Sequence, residues 1–403
     1  MLKKLHTPIG LVFTTLFLDK LGENIVYPLL PFILAAYKPD ALTLGIVASI
    51  GTLFAVLTGP VAGSLSDALG RRPVILICIA INLVSLLMFG WAGSLAMIFT
   101  SRALNGVGSS TMGTLQAYIA DISTPDTRAK NLGVSGAAFG LGAIAGPALG
   151  GGLMGFGATV PIFVAAALSG YNLLSATLML RESLPASDRH PPRWSNLNIV
   201  SPVLKLVTQR VVNRISLAFA AFNLAFSAFT SLLVLALKDQ FGWSAGQTSG
   251  LFVVVGVTLT YVQVALIAKA VKRWGEWEVN RYGMGLVAVG VMTIPAAQLL
   301  GPWSASLIVL GGILLASGAA LVIPTARSLV SGMVSQRSQG VTLGSLASLT
   351  GIASAAGPVA AGWIYDQSTL TCFLFEAGAC LIGMVLLGPT PLLSEQAAES
   401  TAG

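Results

Sequence analysis

The sequence predicts an all-α integral membrane protein of twelve spans, built as two pseudo-symmetric six-helix bundles. Three observations predict it: a surface too poor in charge for water, apolar runs of spanning length, and a glycine-proline pattern that recurs in two distant runs. Of 403 residues, 55% are hydrophobic and only 9% charged, and the mean hydropathy is +0.83. Soluble domains carry about 25% charged residues. A chain with so few cannot cover its outside with polar groups.

The apolar runs are 9–36, 43–66, 73–92, 95–119, 130–155, 159–180, 211–237, 245–270, 279–300, 305–330, 339–364 and 370–390. Each reaches or approaches the ~20 residues that cross ~30 Å of hydrocarbon. Barrel strands would be about ten residues long with alternating polarity, a pattern absent from this chain. The first run is not a cleavable leader, because it contains Asp19, Lys20 and Glu23 and lacks a small-residue cleavage site. Cys78, Cys372 and Cys380 fall inside runs without metal-type spacing and read as small packing residues.

Lys and Arg orient the spans. Alternate joints collect Lys3 and Lys4; Arg71 and Arg72; Arg128 and Lys130; Arg181, Arg189 and Arg193; Lys205, Arg210 and Arg214; Lys269, Lys272 and Arg273; and Arg327 and Arg337. The opposite joints hold little beyond Lys38 and Lys238. Both termini are therefore expected on the cytoplasmic side of a bacterial-type inner membrane. The net charge of +7 is accounted for by this asymmetry, and no nucleic-acid partner is expected.

The longest charged joint, from Arg181 to about Arg210, divides the runs six and six. The expected domains are an N-terminal bundle over 1–180, a cytoplasmic linker over 181–210, a C-terminal bundle over 211–390 and a cytoplasmic tail over 391–403. The fifth run carries Gly133, Gly142, Gly146-Pro147 and Gly150-Gly151. Glycine costs a soluble helix roughly 1 kcal/mol relative to alanine, but in lipid small residues let helix backbones approach closely. A shift of 211 residues lays Gly133, Gly146-Pro147 and Gly151 over Gly344, Gly357-Pro358 and Gly362, with Ala353 and Ala361 replacing Gly142 and Gly150. Internal duplication of helical bundles underlies alternating access in many secondary transporters, with the substrate site near the midplane between repeats.

Charges inside the runs are costly and mark function. Asp19 and Glu23 share one face of the first span. With entry near Ile9, they lie about 15 and 21 Å deep at ~1.5 Å per residue. Arg102 enters from the other side and reaches a similar level, so these groups are expected to face a cavity or one another. Burial and a neighbouring cation act in opposite directions on a carboxyl's proton affinity, which suits a carrier of protons. Lys20 and Glu23, spaced i,i+3, are alternatively a structural ion pair. Glu376, early in the twelfth run, is a further candidate that either stays buried or snorkels to the surface. Candidate cavity-lining groups are Asn24, Tyr27, Gln116, Tyr118, Asn223, Phe226, Phe229, Tyr261 and Gln263.

Three motifs resemble those of the major facilitator superfamily, in the twelve-helix drug:proton antiporter branch that includes tetracycline exporters. The glycine-proline run resembles the antiporter motif of the fifth helix. Gly63, Asp67, Gly70, Arg71 and Arg72 resemble the signature G-x3-D-x2-G-R-[RK]. FLDKLGENIVYPLLPF, through Asp19, Pro28 and Pro31, and Arg102 with Gly106 and Gly108, resemble elements of helices one and four. The resemblance implies a proton-linked acid at Asp19 and an essential membrane arginine at Arg102. It also implies a cytoplasmic gate in which Asp67 and Arg71 join Asp121, near Arg128, and brace the start of the eleventh helix near Gly340. The second half keeps Gly275 in LIAKAVKRWGEWEV but lacks the aspartate, so its gate is expected to be weaker. Lys20 and Glu23 depart from the family's small or apolar residues, and Arg327 stands where tetracycline-type exporters usually have a neutral one.

The function expected is proton-coupled efflux of small amphiphilic molecules by a monomer that uses the proton gradient and no cofactor or metal. A specific metabolite, such as a sugar, amino acid or siderophore, is the alternative cargo, and a sodium gradient the alternative drive. A membrane enzyme or receptor lacks support: His6 and His190 are the only histidines, and neither a nucleophile with a base nor a P-loop is present.

Overall fold

The computed structural model describes residues 8–191, 200–209, 212–335 and 338–389. Lys3, Lys4, Arg193, Arg210, Arg337 and the tail from 390 lie outside these, as do the side chains of Arg128 and Lys130. Among the described residues every regular element is helical.

The first half holds α1 (Pro8–Val26), α2 (Ala41–Leu69), α3 (Arg71–Gly90), α4 (Leu95–Gly108), α5 (Thr111–Asp121), α6 (Pro125–Leu153) and α7 (Val160–Met179). The linker carries α8 (Val200–Thr208). The second half holds α9 (Asn213–Phe241), α10 (Ala245–Tyr261), α11 (Ile267–Ala297), α12 (Ser304–Gly332), α13 (Gln339–Gln367) and α14 (Thr369–Leu387). Short helical turns carry the first span onward from α1 to Tyr37, past Pro28 and Pro31.

Nine described segments are long and apolar enough to cross a membrane, against twelve expected runs. The charges of α1 break its hydropathy, and the fourth run is divided at Ser109 and Ser110 into two short helices, α4 and α5. Ala245–Ala297 forms one 53-residue segment, which covers the eighth and ninth runs. Gly275, at φ +78° and ψ +160°, turns the chain between them.

Helix starts follow from local chemistry. Asp40 accepts the Thr43 N–H at 2.8 Å to begin α2, and Ser94 and Ser368 cap α4 and α14 in the same way. Thr124 and Thr127 form a capping box at the start of α6, with Pro125 between them at the first helical position. Gly70, at φ +103°, separates α2 from α3. A Cβ there would meet the Glu182 carboxylate, so this corner requires glycine for both conformation and space.

Two compact units result, one comprising 1–198 with 231–256 and the other 199–230 with 257–403. α9 therefore contributes to both. In the first unit an apolar core forms around Val12, Leu16, Ile75, Ile79, Leu115 and Ile119. In the second, Phe222 and Phe373 are the largest wholly buried side chains. All three cysteines are buried free thiols.

Candidate functional site

The glycines of α6 sit four apart on one face, and that face lies against α1. A Cβ at Gly142 would stand 3.0 Å from Lys20 Cβ; at Gly146, 2.5 Å from Asn24 Cβ; at Gly150, 2.5 Å from the Ile25 carbonyl oxygen. Gly151 points elsewhere, onto Ser249 of α10. Gly133 has open space around it and takes no part in the seam. The glycine motif thus presses α6 against the part of α1 that carries its charges.

Asp19 is 7% exposed. Its Oδ1 accepts a hydrogen bond from Asn82 Nδ2 of α3 at 3.0 Å. Asn82 Oδ1 accepts in turn from Asn105 Nδ2 of α4 at 2.6 Å. The chain Asn105–Asn82–Asp19 links three helices and ends on a carboxylate. An amide N–H donates to a carboxyl whether or not the carboxyl holds a proton, so Asp19 can change charge while this contact persists. Gly108 supports the arrangement: a Cβ there would lie 2.9 Å from the Asn82 backbone nitrogen.

One residue on, Lys20 Nζ donates to Glu23 Oε2 at 2.5 Å. Lys20 and Glu23 thus form the i,i+3 contact that their spacing allows. The Lys20 side chain is 11% exposed and that of Glu23 40%, so Glu23 is the more open of the two acids although it lies farther along the span. Arg102 belongs to none of the ion pairs among the described residues. Its guanidinium lies beside Gly51 of α2, and its Nε is buried without a partner. α4 approaches α2 there because Gly106 leaves room for the Gly51 carbonyl.

At the α2–α3 corner Arg71 gathers a second network. Its Nη1 donates to Asp67 Oδ1 at 2.5 Å and to Ser66 Oγ at 2.7 Å, and its Nε to Asp121 Oδ2 at 3.0 Å. Asp67, Arg71 and Asp121 are the three residues that the family resemblance joined, and Ser66 is an addition. Glu182, beyond the end of α7, completes the corner: it accepts from the backbone N–H groups of Arg71 and Arg72 at 2.8 and 3.2 Å. Ser183 Oγ donates to Asp121 Oδ2 at 3.0 Å, and the Arg72 guanidinium reaches the Thr177 carbonyl at 2.7 Å.

The corresponding corner in the second half is built from other charges. Aligned on Gly70 and Gly275, Lys272 takes the place of Asp67 and Glu276 that of Arg71. Glu276 accepts from Ser328 Oγ of α12 at 2.7 Å. Lys272 belongs to no ion pair among the described residues.

Glu376 does not snorkel. It is wholly buried, accepts from Cys372 Sγ at 3.6 Å, and leaves Oε2 without a partner. Of the candidate lining groups, Asn24 and Asn223 each turn Nδ2 back to a carbonyl four residues earlier, on Lys20 and Phe219. Tyr118 is buried and donates to the Arg181 carbonyl at 2.9 Å. Phe226 stacks on Phe222 and Phe229 meets Phe373 edge-on. Tyr27 is half-buried, while Gln116, Tyr261 and Gln263 are exposed.

Sequence reasoning missed Asn82, Asn105 and Glu182. Asn82 was the visible signal, an amide alone within the apolar run ILICIAINLVSLLMF, and buried amides seek partners. Glu182 gave a fainter one, as the first acid after the sixth run.

The major facilitator superfamily model matches residues 12–316. The chain is 31% identical over 371 residues to the class C tetracycline resistance protein of Escherichia coli, covering 91% of this chain and 92% of that one. It is 26% identical to multidrug resistance protein 2 of Bacillus subtilis, covering 97% and 96%. The crystal structure of the human organic anion transporter MFSD10 (TETRAN) superposes with a TM-score of 0.73 at 25% identity, over 94% of this chain and 98% of that one. Those matches, together with the arginine corner and the glycine seam, establish that the chain is a transporter of the major facilitator superfamily, in the drug:proton antiporter branch of the tetracycline resistance proteins.

Proposed function

We propose that the protein exports small amphiphilic molecules in exchange for protons, with both termini in the cytoplasm, and that Asp19 carries the exchanged proton. The observation that supports this reading most is the position of Asp19. It is a buried acid held by an amide chain from two other helices, on the helix against which the glycine face of α6 is packed. Close packing of α6 makes the environment of Asp19 depend on how the two helices move. A carboxyl whose surroundings change between two states binds its proton differently in each, which is the differential affinity that coupling requires. The arginine corner around Arg71 serves as the cytoplasmic gate, and the protein works as a monomer. Its cargo belongs with the tetracycline and multidrug classes named for its relatives.

The test is substrate-induced proton release from energised everted vesicles, screened over cationic, neutral and anionic compounds, with Asp19→Asn as the comparison. A compound that dissipates the pH gradient with the wild type and not with Asp19→Asn is the expected result. An Asn variant that responds like the wild type removes Asp19 from the coupling step and transfers it to Glu23 or Glu376. A folded protein that responds to no compound argues for a specific metabolite or another gradient.

A further inference from the structure

A cavity of about 940 Å³ opens at one end of the first unit, between the starts of α1 and α3 and the end of α7. Arg72, Arg181 and Arg189 line it together with Glu182. Glu182 offsets one of the three positive charges, and its oxygens are directed to the backbone N–H groups of Arg71, Arg72, Ser183 and Leu184. Leu11, Leu69, Leu178 and Met179 form the other wall, and Leu178 is 74% exposed. Arg72 is the second residue of α3 and Arg181 follows α7 by two, so the cavity stands where hydrocarbon gives way to headgroups.

We propose that this cavity binds the phosphate headgroup of an anionic bilayer lipid, with the acyl chains leaving along Leu11 and Leu178. Guanidinium groups pair with phosphate oxygens through forked, charge-assisted hydrogen bonds, and three arginines, Arg72, Arg181 and Arg189, line this one cavity. The volume suits a lipid headgroup and its glycerol, at the upper end of the ~300–1,000 Å³ typical of ligand pockets. Free phosphate offers the same oxygens but nothing for the leucine wall.

Lipid retention on the purified full-length protein, read by native mass spectrometry, tests this. Dioleoylphosphatidylglycerol is compared with dioleoylphosphatidylcholine, and inorganic phosphate is added as competitor. The expected result is preferential retention of the anionic lipid, reduced about thirtyfold in R181Q/R189Q, with inorganic phosphate failing to displace it. Leu178→Trp, which obstructs the apolar wall without touching a charge, is expected to lower retention as well, and it serves should the double variant fail to fold. Equal retention of the two lipids overturns the proposal, as does selectivity that survives either variant. Displacement by inorganic phosphate assigns the site to free anions and overturns it too. Retention is read without transport, so failure here leaves the efflux reading standing.

Discussion

Each half of the chain draws a helix pair together at a Gly-Pro step, yet the two seams hold different side chains. In the first half Gly146 of α6 meets Asn24 of α1, beside Lys20 and Asp19. In the second, Gly357 of α13 meets the Leu224 carbonyl and Ser227 of α9, next to the stacked rings of Phe219, Phe222 and Phe226. The close approach occurs in both halves, because without a hydrophobic drive in lipid, helices associate through tight packing. Charges stand at only one of the two seams. Glycine spacing therefore marks where helices touch, and the facing residues mark where chemistry happens.

The corners repeat the lesson. Arg71 pairs with both Asp67 and Asp121, whereas the second corner has the opposite signs and its acid turns to a serine. Substitutions made in matched pairs can break or sharpen this asymmetry.

The largest difference is expected at the charged seam. Asp19→Asn keeps an oxygen to accept from Asn82 and so folds, but loses the coupled component of transport. Coupling between sites is commonly worth ~1–3 kcal/mol, so the pH-driven efflux rate falls by up to about 100-fold. An unchanged rate in the vesicle assay would remove the chemical distinction between the seams. Arg71→Gln follows, with an expected loss of about tenfold in transport, or ~1.4 kcal/mol on the rate. Its effect on melting temperature is small, since pairs to exposed carboxylates such as Asp67 are worth ~0–1 kcal/mol. Lys272→Gln, the matched change, is expected to leave transport near the wild-type rate, and equal losses would make the two corners equivalent.

Gly146→Ala and Gly357→Ala should instead behave alike in stability. Each adds a methyl group where backbone or side chain lies too close, at a cost of about 1–3 kcal/mol, measurable by thermal unfolding in detergent. Only Gly146→Ala is expected to alter the pH profile of transport, and a profile shift in both would place coupling in both halves.

The smallest effect concerns helix starts. α2 is capped by Asp40, while Ser244 and Gln247 satisfy each other's backbone N–H groups ahead of α10. Hydrogen bonds from the Thr43 hydroxyl and backbone N–H hold the Asp40 carboxyl below its usual range. Its capping contribution, typically ~0.5–1 kcal/mol, is complete above the ordinary carboxylate value and is lost as pH falls through the lowered one. Asp40→Ser should therefore flatten the acid side of the stability profile slightly, and Ser244→Ala should lower stability equally at every pH.

Much of this was legible in the sequence. Hydropathy separated the runs, and the order of glycines and charges around Asp67 and Arg71 located the corner that the structure closes. The Lys20–Glu23 contact was legible as one of two options, because both residues lie on one helix and their spacing alone brings them into reach. Glu182 was not, since 111 residues separate it from Arg71 and no local pattern connects them. The fate of Glu376 was also open: a long side chain near a span end can reach outward or stay in, and only the packing of α14 against its neighbours closed the outward route.

The sequence by itself determined the fold class, the apolar runs and the residues too costly to bury without purpose, because hydropathy and backbone approach depend on residue type and local spacing. Tertiary structure alone decided partners: that Asp19 meets Asn82 and not Arg102, that Glu182 caps α3, and that three arginines share one cavity. A hydrogen bond needs two groups within about 3 Å and in line, and between helices that is set by their rotation and depth, which no single run encodes.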